Sequence, residues 1–152
     1  MLRPFNNSDL NHLHTMICDT IDISYSIVYP SRAVQFFKDH HSPAKILERS
    51  QNGEIVIIEE NDSIVATGAL IKNEISALFV KPDCQGQGFG KVIMNELESR
   101  AKNKGFSEIS LDVSLPSRGF YEKLGYKILP EQSLDVGEGQ RLKYWHGIKI
   151  LF

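Results

Sequence analysis

The stretch that most constrains this chain is Leu78-Phe79-Val80-Lys81-Pro82-Asp83-Cys84-Gln85-Gly86-Gln87-Gly88-Phe89-Gly90-Lys91. An apolar strand ends at a proline, three glycines follow, and a helical pattern begins in which Ile93, Leu97 and Ala101 share one face. A strand–turn–helix of this kind aims successive backbone N–H groups and a helix N-terminus at one point, where a phosphate can be held. Glycine suits the turn because a side chain would block the ligand and because turn positions need positive φ. Two well-known phosphate loops fail on spacing. The P-loop needs glycine five residues before a Gly-Lys pair, then Ser or Thr, and Gln85 and Val92 occupy those places. The dinucleotide fingerprint needs a third glycine where Lys91 stands, and a βαβ opening where several strands already precede the turn.

The rest of the chain supplies a sheet and its covering helices. Residues 1–5 read as a short strand, and Ser8 or Asp9 caps a helix to about Asp19 with Leu10, Leu13 and Ile17 on one face. Residues 21–30 read as irregular. Ser31 opens a second helix, and Ser42-Pro43 carries the cap-then-proline signature of a third, to about residue 50. Strands are expected at 54–60 and 63–72, joined by the hairpin signal Asn61-Asp62, and at 73–80. After the helix at 91–104, Ile109, Leu111 and Val113 alternate as a strand. A short helix at about 117–124, a strand at 126–129 and a last strand at 140–151 complete the order. This is an α/β (α+β) pattern: one domain over residues 1–152, with a mixed sheet and helices packed on it.

Composition narrows the function. The 17 basic and 19 acidic residues leave a net charge of −2, which argues against a nucleic-acid-gripping face. The longest apolar runs, 55–58 and 64–71, are strand-sized, so no membrane span is expected. Residues 1–5 lack the apolar core of a secretory signal. Only Cys18 and Cys84 are present, which suggests no disulfide scaffold and a reducing, cytoplasmic setting. The five histidines make no ligand spacing with Cys or carboxylates, so no metal is expected.

The spacing that fits is Gln-x-x-Gly-x-Gly, at Gln85, Gly88 and Gly90. Here the chain resembles the GNAT superfamily of N-acetyltransferases. A second, independent stretch matches that family in order and spacing: Ser114, Ser117, Phe120-Tyr121 and Gly125-Tyr126. Ser114 stands for the commoner Asn and Ser117 for the commoner Ala. The resemblance covers about residues 54–130. It implies a mostly antiparallel central sheet flanked by helices, splayed between the strands at about 73–80 and 107–113. It implies acetyl-CoA as donor, with Leu78, Phe79 and Val80 along the pantetheine. Gln85, Gly86, Gln87, Gly88, Phe89, Gly90 and Lys91 would lie at the pyrophosphate, and Ser114, Ser117 and Tyr121 would also contact the cofactor.

Acyl transfer to an amine needs a neutral amine, donors for the developing oxyanion and an acid for the departing thiolate. By resemblance, Tyr121 is the acid; the alternative is a ring that only packs on the sheet. Glu74, eleven residues before Gln85, holds the offset of the basic glutamate in the histone-acetylating branch; it is equally a solvated hairpin-end residue. The oxyanion donor is expected at a backbone amide near Val80. Cys84, in a loop facing phosphates, is badly placed for an acyl-enzyme. For the acceptor, the N-terminal helices and last strands offer Tyr25, Tyr29, Phe36, Phe37, Tyr144 and Trp145, most of them read as core, and His40-His41 reads as a helix C-terminus. The expected partners are acetyl-CoA and an amine. A non-catalytic acyl-CoA sensor is the alternative, and pairing of the aromatic C-terminal strand with a second copy is a further expectation.

Overall fold

The computed structural model describes residues 1–152. Eight strands lie in the order β1-β2-β3-β4-β5-β8-β6, with β7 pairing β8 off that path. β1 is Leu2–Pro4, β2 Glu54–Glu60, β3 Ser63–Ile71, β4 Glu74–Val80, β5 Glu108–Val113, β6 Lys127–Ile128, β7 Gln132–Gly137 and β8 Gln140–Ile150. All pairings are antiparallel except β4–β5. The helices are α1 Leu10–Thr20, α2 Ser31–His40, α3 Pro43–Asn52, α4 Phe89–Asn103 and α5 Arg118–Lys123. None is long and apolar enough to cross a membrane.

Both faces of the sheet are covered, which explains the unbroken apolar run 55–58. Val56 and Ile58 enter the core beneath α4 and α5; Ile55 and Ile57 enter the core beneath α1, α2 and α3. On the α4 side, Ile93, Met94 and Leu97 are fully buried, each worth about 1.5–3 kcal/mol. On the other, Leu13, Ile17, Ile21 and Ile46 pack on β2 and β3. This mixed, mostly antiparallel sheet between helices is the expected class.

The splay is visible in the register. β4 and β5 pair only at Glu74↔Ser110 and Ile75↔Leu111, and then separate. A wedge opens between them toward the glycine-rich turn.

Four details differ from the sequence reading. The leading 3-10 turn is capped by Asn6, whose side chain accepts from the Ser8 amide while Asp9 accepts from the Asn6 amide. Residues Ile21–Tyr25 are not irregular but form a π-helical turn continuing α1. β7 was not anticipated, because its residues 132–135 are exposed and carry little apolar alternation; Gly137-Glu138-Gly139 therefore lies in a β7–β8 hairpin, with all three residues at positive φ. Finally, the C-terminal strand is built into the sheet of its own chain, and along residues 140–144 only β7 lies beside it. β8 pairs β5 over 145–150 on one side, and β6 and β7 on the other.

Candidate active site

The wedge holds two cavities, of about 410 Å³ and about 390 Å³. Tyr25, Leu78, Phe79 and Ser117 line both, so the cavities meet between β4 and the turn after β5.

The first cavity is built on the glycine-rich turn. β4 ends at Val80, a single 3-10 turn spans Pro82–Cys84, and α4 starts at Phe89, two residues earlier than its apolar periodicity suggests. Gly88 occupies the N-cap at φ 88°, and Gly86 has φ 78°. An L side chain at either is strained. At Gly90 the constraint is space: a Cβ would stand 3.1 Å from the Phe120 ring. The Gln85 side chain donates to the Val80 carbonyl at 3.0 Å and ties the turn to the strand end. Gln85, Gly86, Gly88, Phe89, Gly90 and Lys91 all line this cavity, but Gln87 does not and is exposed. Cys84 also lies off the cavity wall, and burial raises its pKa. The first turn of α4 therefore presents unpaired N–H groups and a positive dipole end to this cavity.

The strand wall carries a feature the sequence does not announce. Thr67 pairs Phe79 and Ala69 pairs Ser76, leaving Gly68 opposite both Ala77 and Leu78. This is a β-bulge, and Ala77 adopts φ 54° within it. Such a position costs a non-glycine residue about 1–3 kcal/mol. The extra residue changes the phase of the strand. Ile75 faces the α4 core, Ala77 the opposite one, and then Leu78 and Val80 face α4 while Phe79 faces α1 and α2. Phe79 thereby reaches the rings of Tyr25 (centroids 6.1 Å apart) and His41 (5.0 Å).

The second cavity gathers residues far apart in sequence. Glu74 and Ser76 come from β4, Asp112 and Val113 from β5, and Ser114 and Tyr121 from the turn and helix beyond. Phe37, His41 and Arg49 come from α2 and α3, and Tyr144 from β8. Tyr121 is buried, and burial raises its phenol pKa well above the ordinary value. Its hydroxyl enters no hydrogen bond with the protein, yet it is not sealed from solvent either. Glu74, at the closed end of the wedge, is exposed toward the cavity. Asp112 meets His146 Nδ1 at 2.5 Å across the β5–β8 pair.

Where the cavities meet, Tyr25 OH lies 3.2 Å from Ser114 Oγ, which lies 2.9 Å from Ser117 Oγ. Ser114 lines the second cavity and Ser117 both. Tyr29 braces the same turn: its hydroxyl accepts from the Leu115 amide (2.9 Å) and donates to the Lys143 carbonyl (2.7 Å). Tyr29 is core, as read from sequence, whereas Tyr25 is wall for both cavities. His40 ends α2 and His41 is its C-cap, the helix C-terminus read from sequence. His41 is buried, and burial, reinforced by Arg49 and His40, pulls its pKa down to about 3.

Comparison with known proteins agrees with this geometry. The family model described as an acetyltransferase (GNAT) domain matches residues 25–137. An uncharacterized acetyltransferase of Streptococcus pyogenes serotype M3 is 28% identical over 87 residues, 54% of this chain and 61% of that protein. The aligned part thus spans about three fifths of that relative's length. A GCN5-related N-acetyltransferase from Rhodopseudomonas palustris has the same fold, with TM-score 0.89 and 21% identity over 99% of this chain and 94% of that one. The PaiA N-acetyltransferase from Thermoplasma acidophilum, solved in complex with coenzyme A, follows at TM-score 0.77 and 22% identity over 99% of this chain and 98% of that one. The family match spans most of the chain, including the splayed strands and the glycine-rich turn, and the chain belongs to the GNAT family of acetyltransferases.

Proposed function

We propose that the protein is an N-acetyltransferase that moves an acetyl group from acetyl-CoA to an amine by direct attack, with both substrates bound together. The observation that carries this reading is the meeting of two cavities at the wedge, one walled by main chain suited to a phosphate and one by side chains. The coenzyme A complex of the related Thermoplasma protein supports the choice of donor.

In this reading the pyrophosphate lies on the amides of residues 85–90, with Lys91 beside it in the first turn of α4. The pantetheine runs along Leu78–Val80 and passes Ser117, so the thioester arrives where the cavities join. The amine enters from the second cavity. Glu74 takes its proton, through water, and the free lone pair attacks the thioester carbonyl. A backbone amide near Val80 donates to the oxygen as charge collects there. Collapse breaks the C–S bond, Tyr121 gives its proton to the departing sulfur, and the proton that the nitrogen sheds as the amide forms returns through water to the phenolate. Burial keeps the phenol protonated across the working pH range, which an acid requires. The Tyr25–Ser114–Ser117 chain positions the turn that holds Ser117 against the donor.

The test is release of free thiol from acetyl-CoA against a panel of amines and peptides, with coenzyme A binding measured on the same protein. Turnover on some acceptor is expected, and Tyr121→Phe lowers kcat about 100-fold with coenzyme A affinity kept. Tight binding with no turnover on any acceptor would replace this reading with an acyl-CoA sensor.

A further inference from the structure

The acceptor cavity contains a guanidinium with no carboxylate to hold. Arg49 projects from the last turn of α3, and its Nη2 donates to His41 Nδ1 at 3.0 Å and to the His40 carbonyl at 3.4 Å. Two other arginines with comparable cover are each gripped by two carboxylates. Arg3, whose side chain is 24% exposed, meets Asp9 and Glu59 at 2.9 and 3.1 Å. Arg100, at 28%, meets Glu96 and Glu54 at 2.7 and 3.1 Å. Arg49 has a neutral imidazole and one carbonyl instead. A guanidinium cannot shed its proton, so burial leaves it charged and short of acceptors. Glu48, its neighbour on α3, is exposed and reaches toward Lys45.

His41 fixes the direction of that charge. Guanidinium nitrogens only donate, so His41 Nδ1 must accept, and the ring is neutral with its proton on Nε2. The imidazole is held edge-on to Phe79 (87° between planes), which leaves Arg49 a set position on the cavity wall.

We infer that the acceptor is an amine that also carries a carboxylate, and that Arg49 receives the carboxylate while the amine faces Glu74 and Tyr121. This rests on the acetyltransferase reading above. The charged and titratable groups facing the cavity are Arg49, His40 and His41 on the α2–α3 side and Glu74 and Asp112 on β4 and β5. Neither carboxylate makes an ion pair with Arg49, and Asp112 is engaged by His146. Opposite charges on separate walls match a zwitterion, with Phe37 and Tyr144 flanking its body. A single guanidinium, sharing the cavity with two carboxylates, suits a monoanion better than a phosphate dianion.

The test uses N-acetylated amino acids (phenylalanine, leucine and lysine) as product-like probes, each beside its carboxamide, titrated into the protein with and without coenzyme A. A phosphorylated amine, phosphoethanolamine, completes the set. The acid form of at least one probe is expected to bind about tenfold tighter than its amide, or about 1.4 kcal/mol. That preference disappears in Arg49→Gln and is partly kept in Arg49→Lys, both first checked for an unchanged melting curve. Equal affinity for acid and amide, no binding of any acid, a preference surviving in Arg49→Gln, or a stronger response to phosphoethanolamine would each overturn the inference. Loss of coenzyme A binding would count against the donor reading alone, because the carboxylate preference is read without it as well.

Discussion

The two cavities meet at four residues but are made by different means. The donor side is mostly main chain: one short segment, residues 78–91, ends a strand, turns on glycines and starts a helix. The acceptor side is mostly side chain, drawn from α2, α3, β4, β5, β8 and the turn after β5. Backbone amides read a phosphate whatever the neighbouring side chains are, so the donor side tolerates variation except where a Cβ intrudes. The acceptor side depends on the chemistry of each residue it gathers. Donor identity and acceptor identity are therefore set by separate parts of the chain.

Three changes test that division. The largest effect is expected from Glu74→Gln, which removes the proposed base while keeping its shape. Turnover falls about 100-fold near neutral pH, coenzyme A affinity holds, and the pH–rate profile loses its acid limb. A profile identical to the parent's removes Glu74 from the chemistry. Next is Gly88→Val, which forces a β-branched residue to φ 88°. With about 1–3 kcal/mol of strain, coenzyme A affinity drops about tenfold or more. Probe binding at Arg49, measured in the absence of coenzyme A, is unchanged. If acceptor-side binding fell equally, the two cavities would not be separable.

The last effect is on stability and leaves turnover near neutral pH untouched. His41 has a folded-state pKa near 3, below its ordinary 6.5. A depressed histidine is protonated more readily in the unfolded chain. Its contribution is therefore intact above about pH 6.5 and is lost as pH falls toward 3, by about 1.4 kcal/mol per unit. Urea titrations from pH 7 to pH 4 should show that slope, and His41→Gln should flatten it. An unchanged slope would mean that His41 is not buried as described.

The sequence exposes the donor side well because its constraints are local. Gln85, Gly88 and Gly90 stand at fixed spacing, and the first two have a physical reason within a few residues, a tie to the Val80 carbonyl and a positive φ, while Gly90 is crowded by the Phe120 ring from α5. The order of strands and helices was also legible, since Ile55–Ile58 and the 93-97-101 stripe are strong patterns. The acceptor side was not. His41 and Arg49 look like ordinary helix-end residues until α2 and α3 fold against β4, and nothing near Tyr25 indicates that it walls both cavities. β7 escaped because its pairing with β8, not its own alternation, makes it a strand. The bulge at Ala77 escaped because Ser76-Ala77-Leu78 contains no glycine to mark a positive φ.

That bulge makes segment length matter more than composition. Removing any one residue between Ile75 and Leu78 would let β4 pair regularly with β3, relieving the strain at Ala77. It would keep the face of every later residue, because the residue removed is the one the bulge adds; straightening β4 at its full length would instead send Phe79 under α4 and turn Leu78 and Val80 toward α1 and α2. The strand acts as a parity count: its extra residue is what turns Phe79 to one substrate's side and Leu78 and Val80 to the other, and closing the bulge without shortening the strand would invert that shared wall.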